Sequence, residues 1–492
     1  MDFINNIGSA FASLIGFTPL ILILMGVIIG ILGGSIPGIS PSMAVALLLP
    51  MTYKMSPTMA LVMLMGIYIG ANYGGSITAV TINTPGTPSA TVTSFDGYPM
   101  VQNGRAGEAM GISLWASVFG GIIGILILIF AAEPLAQLAL KFWPSEYFAL
   151  CILGLTTVAT LGGKNWQKAL AAVLLGLLLN TMGLPPTIGI KRFTFNLTFL
   201  YDGITFVPAL IGLFALGEVF SELEKYRPEN QKYEKVTYTW PKMKYYWGLK
   251  WSIIRSGIMG TLIGVFPGAG GTIASFLAYD MEKRISKHPE DFGKGAPEGV
   301  VAAEAANSSS VGGAMVPLLS LGIPGSSTAA VLLGALMIHN LTPGPELFIK
   351  EPEMVNALFA SMFIANIFMA AVGVFGSKLW VRVTSIPKTI LFPLIFAFSI
   401  LGSYSVSKST TDVVICLIFG VLGWLMKKYN YPASPVVLGL VLGKLIESNF
   451  ARAMVIDGLA SFTRPLTLVL LAIALAAIVM PLIQGRKKKQ EK

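Results

Sequence analysis

The chain alternates long apolar runs with short polar breaks. Apolar runs fall near residues 18–36, 58–82, 109–131, 146–162, 166–184, 203–220, 251–266, 311–338, 355–376, 388–405, 411–426, 432–446 and 465–484. A bilayer-spanning helix needs about 20 mainly apolar residues. Several of these runs are shorter than that or are cut by Gly and Pro. The pattern predicts an all-α polytopic membrane protein of about ten to twelve transmembrane helices plus re-entrant hairpins or broken helices.

Two polar stretches are basic. Residues 221–250 carry Lys225, Arg227, Lys232, Lys235, Lys242, Lys244 and Lys250; residues 281–297 carry Lys283, Arg284, Lys287 and Lys294. Excess Lys and Arg marks cytoplasmic loops, so both are expected inside. The segment between them, 251–280, must then enter the membrane and return. Each arm of about 14 residues reaches roughly 21 Å, short of the roughly 30 Å hydrocarbon core. A re-entrant helical hairpin with its tip near Gly268 is predicted.

The breaks recur in order. Gly30-x3-Gly34-x2-Pro37-Gly38 matches Gly260-x3-Gly264-x2-Pro267-Gly268. Gly74-Gly75 followed by Thr84-Pro85-Gly86-Thr87 matches Gly312-Gly313 followed by Ile323-Pro324-Gly325-Ser326. This predicts two repeats: 1–220, then a basic cytoplasmic linker 221–250, then 251–464, with a C-terminal helix and basic cytoplasmic tail at 465–492. The start of the chain, MDFINNIGSAF, has an acid and no Lys or Arg. No cleaved signal is expected there, and the N-terminus is placed on the non-cytoplasmic side. With residue 250 inside, the repeats would be inverted, and inverted repeats with paired, Gly/Pro-interrupted helices mark secondary transporters. Glycines at every fourth position (26, 30, 34, 38; 66, 70, 74; 260, 264, 268) give smooth helix faces for close packing.

Composition narrows the class. AVILMFWYC residues make up 54% and DEKR 12%, against about 25% charge in soluble domains. Mean hydropathy is +0.73. Soluble, fibrous and disordered classes are excluded. The net charge of +10 fits cytoplasmic loops and the tail Arg486, Lys487, Lys488, Lys489, Lys492; no nucleic-acid partner is indicated. Cys151 and Cys416 lie in apolar runs, and His288 and His339 lack ligand spacing. No phosphate-binding G-x-x-x-x-G-K-[ST] loop occurs, and no catalytic constellation stands out, so an enzyme is not expected.

The candidate chemistry sits in four breaks. Pro and Gly free backbone amides and carbonyls at membrane depth, and a bound solute or ion can satisfy them. The first break offers Gly38 and Ser40. The second offers Asn83, Thr84, Pro85, Gly86 and Thr87. The third, the hairpin tip, offers Gly268, Gly270, Gly271 and Thr272. The fourth has Asn307 upstream of Gly325, Ser326 and Ser327. Helix N-termini and these hydroxyl and amide side chains suit a carboxylate. Carbonyls of Gly38, Gly86, Gly268 and Gly325 suit Na⁺, a hard cation. Among charges, Asp96 is expected to cap a turn outside the bilayer, and Glu298 and Glu304 are the residues to consider for proton coupling.

These strings also carry a resemblance. Ile67–Thr78 (IYIGANYGGSIT), Asn83–Pro88 (NTPGTP), Asp96–Met100 (DGYPM), Gly264–Phe276 (GVFPGAGGTIASF), Glu298-Gly299-Val300, Glu304–Asn307 (EAAN), Pro317-Leu318-Leu319 and Leu321–Ser326 (LGIPGS) resemble the large membrane subunit of tripartite tricarboxylate transporters, the TctA family. The likeness runs from about Gly30 to about Gly344. One departure is Ser308, where the family usually carries a second Asn after Asn307; it leaves the polar network at 307–310 open in detail. The resemblance implies a secondary-active system of the bacterial inner membrane, coupled to Na⁺ or, alternatively, H⁺. It implies two partners, a small membrane subunit of about four helices and a periplasmic solute-binding protein, and di-, tri- or related organic carboxylates as substrate. A channel-like or exporter subunit working without a binding protein is the competing reading. The paired breaks suggest that a rigid bundle carries the site across the membrane against a scaffold.

Overall fold

The computed structural model describes residues 2–36, 38–161, 165–185, 189–225, 243–383 and 388–490. Pro37, most of the basic linker (Arg227, Lys232, Lys235 and Lys242 included) and Lys492 lie outside the described residues.

Helices follow one another as α1 (Asp2–Leu14), α2 (Phe17–Gly34), α3 (Pro41–Leu48), α4 (Pro57–Ile82), α5 (Ala90–Gln102), α6 (Ala106–Ala139), α7 (Pro144–Leu161) and α8 (Trp166–Asn180). Next come α9 (Phe206–Leu210) and α10 (Gly217–Lys225), joined by a π-helical stretch Ile211–Leu216, then α11 (Met243–Gly248). The second half runs α12 (Lys250–Val265), α13 (Gly270–Ile285), α14 (Pro297–Leu321), α15 (Ser327–Ile338), α16 (Glu346–Lys350), α17 (Pro352–Val383), α18 (Lys388–Ser407), α19 (Thr410–Lys428), α20 (Ser434–Asp457) and α21 (Pro465–Gln490). The all-α polytopic architecture is as the apolar pattern predicts.

Among the described residues, eight helical stretches are long and apolar enough to cross a membrane: α2, α4, α6, the α9–α10 unit, α17, α18, α19 and α20. The remaining helices of the predicted set are shorter or more polar. The segment 250–285 is two 16-residue helices around a tip. At about 24 Å each, they have the length of a re-entrant hairpin.

α4 explains how polar residues survive at depth. Its entire apolar window is buried inside the protein, so Asn72, Ser76 and Thr78 face neighbouring helices and not lipid. α18 and α19, 33% and 39% buried over their windows, are peripheral. Phe17, Phe130, Phe375 and Leu475 stay exposed, as side chains facing acyl chains would.

Two glycine-lined contacts hold the centre. α2 packs on α4, and α12 packs on α14. A methyl on Gly30 would come within 2.9 Å of Ala71 N and 3.0 Å of the Ile67 carbonyl carbon. A methyl on Gly264 would come within 2.6 Å of Ser310 O. The two halves also interlock. α14 of the second half packs against α5 and α6 of the first, and α17 against α4. On the periphery α8 packs on α20, and α10 on α19.

Candidate functional site

The first pair of breaks is built from the ends of α2 and α4. After α2, Gly38 takes a left-handed φ of +98°. Ser40 caps α3: its Oγ accepts from Met43 N at 3.2 Å and lies 3.0 Å from Ser42 Oγ. α4 ends on Asn83, left-handed at φ +51°. Thr84 N then donates to Thr78 O at 3.2 Å, and Gly86 N to Gly75 O at 3.1 Å. Thr87 Oγ1 accepts from Ala90 N at 3.3 Å at the start of α5. Gly86 lies flat on the other break: an added Cβ would collide with Gly34 O and approach Gly75 Cα to 2.9 Å.

The second pair repeats this geometry. Gly268 has φ +78°. α14 ends on Gly322, left-handed at φ +74°. Ile323 N donates to Pro317 O at 3.1 Å, and Gly325 N to Ala314 O at 3.4 Å. Ser326 Oγ accepts from Ala329 N at 3.1 Å, capping α15. A Cβ on Gly325 would collide with Gly264 O, the counterpart of Gly34.

The hydrogen bonds fix the register between halves. Asn83, Thr84, Gly86 and Thr87 correspond to Gly322, Ile323, Gly325 and Ser326, an offset of 239. By the same offset Gly74 pairs with Gly313, and Gly75 with Ala314. The contacts agree: a Cβ on Gly74 would meet the Ile31 backbone, and one on Gly313 the Thr261 backbone, themselves 230 apart like Gly30 and Gly260. The sequence pairing of Gly74-Gly75 with Gly312-Gly313 is therefore one residue out of step. Gly312 serves a different contact, against the backbone of Gly124 on α6.

The predicted residues gather unevenly. Gly268, Gly270, Gly271, Asn307, Gly325 and Ser326 form one cluster. Gly268 N donates to Gly325 O at 3.1 Å. A Cβ on Gly270 would lie 3.7 Å from Ser326 Cβ, and one on Gly271 would overlap Asn307 Oδ1 and lie 3.2 Å from Ser310 Oγ. Asn307 is 1% exposed, and neither its Nδ2 nor its Oδ1 has a hydrogen-bond partner. Such a buried amide normally finds one. Thr272 and Ser327 are half-buried beside this cluster. In the first half, Gly86 and Thr87 are buried, Pro85 and Thr84 half-buried, and Asn83 exposed. No hydrogen bond joins Asn83, Thr84 or Thr87 to the Asn307 cluster among the described residues. Of the four glycine carbonyls expected to hold a cation, that of Gly325 already accepts one hydrogen bond.

Two further groups tie the surrounding helices together. Tyr68, on α4, places its hydroxyl 2.9 Å from Ser326 Oγ and so links the first half to the second break. It lies in the IYIGANYGG string, where a tyrosine on an apolar helix looks like core. Asp96 is fully buried, and its cap is deeper than a surface turn. Its Oδ1 accepts from the N–H groups of Gly293, Gly295 and Ala296 at 2.8, 2.9 and 2.9 Å, and its Oδ2 from Tyr279 Oη at 2.8 Å. It fixes α5 to the loop entering α14.

The arrangement is that of a polytopic membrane protein with two pairs of interrupted helices, the second of which lies against a buried, unpaired polar side chain. The chain matches the model of the tripartite tricarboxylate transporter TctA family over residues 20–438, and it belongs to that family. It is 39% identical over 432 residues to an uncharacterized 52.8 kDa protein in the TAR-I ttuC' 3' region of Agrobacterium vitis, covering 87% of this chain and 86% of that one. It is 36% identical over 235 residues to an uncharacterized protein in the TAR-II ttuC' 3' region of the same organism, covering 47% of this chain and 97% of the relative. No solved structure matches it.

Proposed function

We propose that this chain is the carrier subunit of a cation-driven uptake system for di-, tri- or related organic carboxylates. Its two halves are inverted repeats in a bacterial inner membrane, with the N-terminus in the periplasm and the C-terminal tail in the cytoplasm. A periplasmic solute-binding protein delivers the substrate, and a small membrane subunit of about four helices accompanies it. Na⁺ is the proposed coupling ion, with H⁺ as the alternative. Membership in a transporter family supports transport over catalysis.

The observation that carries this reading is the Asn307 cluster. A carboxylate there would accept from the unpaired Asn307 Nδ2 and from amides at the start of α13. Ser326, Ser327 and Thr272 would supply hydroxyls, and Tyr68 would hold Ser326 in place. Ser40, Asn83, Thr84 and Thr87 would complete the site when the halves move relative to one another. A cation would take the remaining carbonyl and Asn307 Oδ1 lone pairs. The glycine faces of α2 with α4 and α12 with α14 would keep each broken-helix pair rigid while it moves as a unit.

The test is uptake of a panel of labelled carboxylates into proteoliposomes holding this chain and its small subunit. Binding protein and an inward Na⁺ gradient are added separately. Accumulation that needs both is the expected result. Accumulation that needs neither would replace this reading with a channel-like or exporter subunit.

A further inference from the structure

We propose that Glu304 is a proton-binding site whose charge state sets the grip between the two halves of the protein. The inference rests on the transport reading above for its role, and on the geometry alone for its chemistry.

Glu304 sits about two turns into α14 and is completely buried. Its Oε1 accepts from Ser76 Oγ at 2.6 Å and from Thr93 Oγ1; its Oε2 accepts from Ser117 Oγ at 2.8 Å. The three donors come from three helices of the first half, α4, α5 and α6. No Lys, Arg or His pairs with Glu304 among the described residues.

The charged groups on the surrounding helices are engaged elsewhere or lie apart from it. Glu108, at the start of α6, holds Arg105 and Tyr245. Arg255 on α12 holds Glu282 on α13. Asp96 on α5 is bound by Tyr279 of α13 and the 293–296 amides. Asp280 pairs with Arg284 on α13, and Glu346 with Lys350 on α16. Tyr68 on α4 bonds Ser326. Lys250, Lys283, Tyr98, Glu133 and Glu298 make no hydrogen bond or ion pair with Glu304.

A buried carboxylate without a cation carries a large desolvation cost, and three neutral hydroxyls offset only part of it. The same oxygens can serve the neutral acid. A proton on Oε2 would donate to Ser117 Oγ, whose hydroxyl is free to rotate, while Oε1 keeps both its donors. Glu304 can therefore keep a hydrogen bond to all three hydroxyls in either charge state without moving a helix. A metal ion fits less well. The 2.6 and 2.8 Å separations are those of direct O–H···O bonds, and an ion would have to push these oxygens apart.

Its position gives the proton leverage. Ser76 directly follows Gly74-Gly75, which grip the first break, and Thr93 lies in the first turn of α5, just past the 83–89 loop. Glu304 itself is one helical turn before Asn307. Hydrogen bonds to an ionised carboxylate are roughly twice as strong as neutral ones. Losing the proton tightens α14 onto α4, α5 and α6; gaining it loosens that joint beside the site.

The experiment is infrared difference spectroscopy of the purified chain in lipid nanodiscs during a pH titration, comparing wild type with Glu304→Gln. The expected result is a carboxylic-acid C=O band in the wild type that bleaches as pH rises and is missing from E304Q. Ser117→Ala, which leaves Glu304 in place, should move the midpoint by about tenfold in proton concentration, and it serves if E304Q misfolds. Identical wild-type and E304Q spectra overturn the proposal, as does an unmoved midpoint in S117A. Bleaching by added NaCl at fixed pH overturns it in favour of a cation site. In proteoliposomes, E304Q should still exchange labelled for unlabelled carboxylate, while gradient-driven accumulation of the carboxylate the wild type takes up falls at least tenfold and loses its pH dependence; accumulation with the wild-type pH dependence overturns the role in coupling. Absence of carboxylate uptake by the wild type, with the infrared band intact, defeats the transport reading and not the proton site.

Discussion

Replacing Gly30 by alanine tests whether backbone-to-backbone packing of α2 on α4 holds the first half together. The new Cβ would collide with Ile67 O, and it would sit 2.9 Å from Ala71 N and 3.0 Å from the Ile67 carbonyl carbon. Ordinary carbon contacts begin near 3.5 Å, so relieving the collision with Ile67 O needs the helices to part by about 1 Å. The obstacle is backbone, so no side chain can swing away. Overpacking of this kind costs about 1–3 kcal/mol, against about 0.5–1 kcal/mol gained by removing a helical glycine. The strain is also shared, because Gly26, Gly34, Gly66, Gly70 and Gly74 line the same seam. A net loss of about 1–2 kcal/mol is expected. Gly33 supplies the control. A methyl there would meet Ala44 Cβ at 3.4 Å and Ile39 Cγ2 at 3.7 Å, ordinary contacts, so Gly33→Ala should be neutral or stabilising by up to about 1 kcal/mol. Thermal melting of the purified chain in nanodiscs, followed by tryptophan fluorescence, reads both. Gly30→Ala should lower Tm and Gly33→Ala should not. Equal shifts in the two variants would refute the argument, because they differ only in what the methyl meets.

Substitutions at three other positions probe the site and its supports. Asn307→Ala removes two buried unpaired polar atoms, so Tm should hold or rise, by up to about 1–3 kcal/mol in stability. Carboxylate affinity measured by calorimetry should fall at least about tenfold, or 1.4 kcal/mol; a fall in Tm with unchanged affinity would mark Asn307 as purely structural. Tyr68→Phe deletes the 2.9 Å contact to Ser326 Oγ and should cost about 1 kcal/mol. KM in the uptake assay should rise, and an unchanged KM would separate Tyr68 from substrate. Asp96→Ala strands three backbone N–H groups and the Tyr279 hydroxyl, with an expected cost of about 3–5 kcal/mol and faster proteolytic cleavage near residues 286–296. Asp96→Asn, which keeps one acceptor, should lie between; equal cleavage in all three proteins would disprove the role.

Much of this was legible in the sequence, for a physical reason. Gly and Pro act on the backbone locally, so the breaks at Gly38, Gly86, Gly268 and Gly325 could be placed from composition alone. Helix length needs only a count, which is why 251–280 read as a hairpin. The register between halves was not legible to a single residue. Gly74-Gly75 and Gly312-Gly313 look like equivalent pairs, yet Gly312 answers to α6 and only Gly313 answers to the α12 seam. A glycine's neighbour lies in another helix, and one sequence carries no trace of it. The Glu304 cage was hidden for the same reason. Ser76, Thr93 and Ser117 lie on three helices, and each looks like an ordinary small polar residue until the bundle brings them to one carboxylate.

The aligned halves reveal an asymmetry that bears on mechanism. At the offset of 239, Glu304 stands opposite Met65, Asn307 opposite Tyr68, and Val311 opposite Asn72. The backbone plan is duplicated: both break loops begin on a left-handed residue, and both lie against a glycine carbonyl. The chemistry is not duplicated. At these aligned positions the second half has the carboxyl of Glu304 and the unpaired amide of Asn307, while the first half supplies the hydroxyls that bind the former and the tyrosine that reaches Ser326. Two identical sites would let each half work alone. Here the polar groups of one half are completed by the other across α4 and α14, so any relative movement of the halves would break or remake those bonds. On the transport reading proposed above, that is the change through which a conformational step would be coupled to an ion.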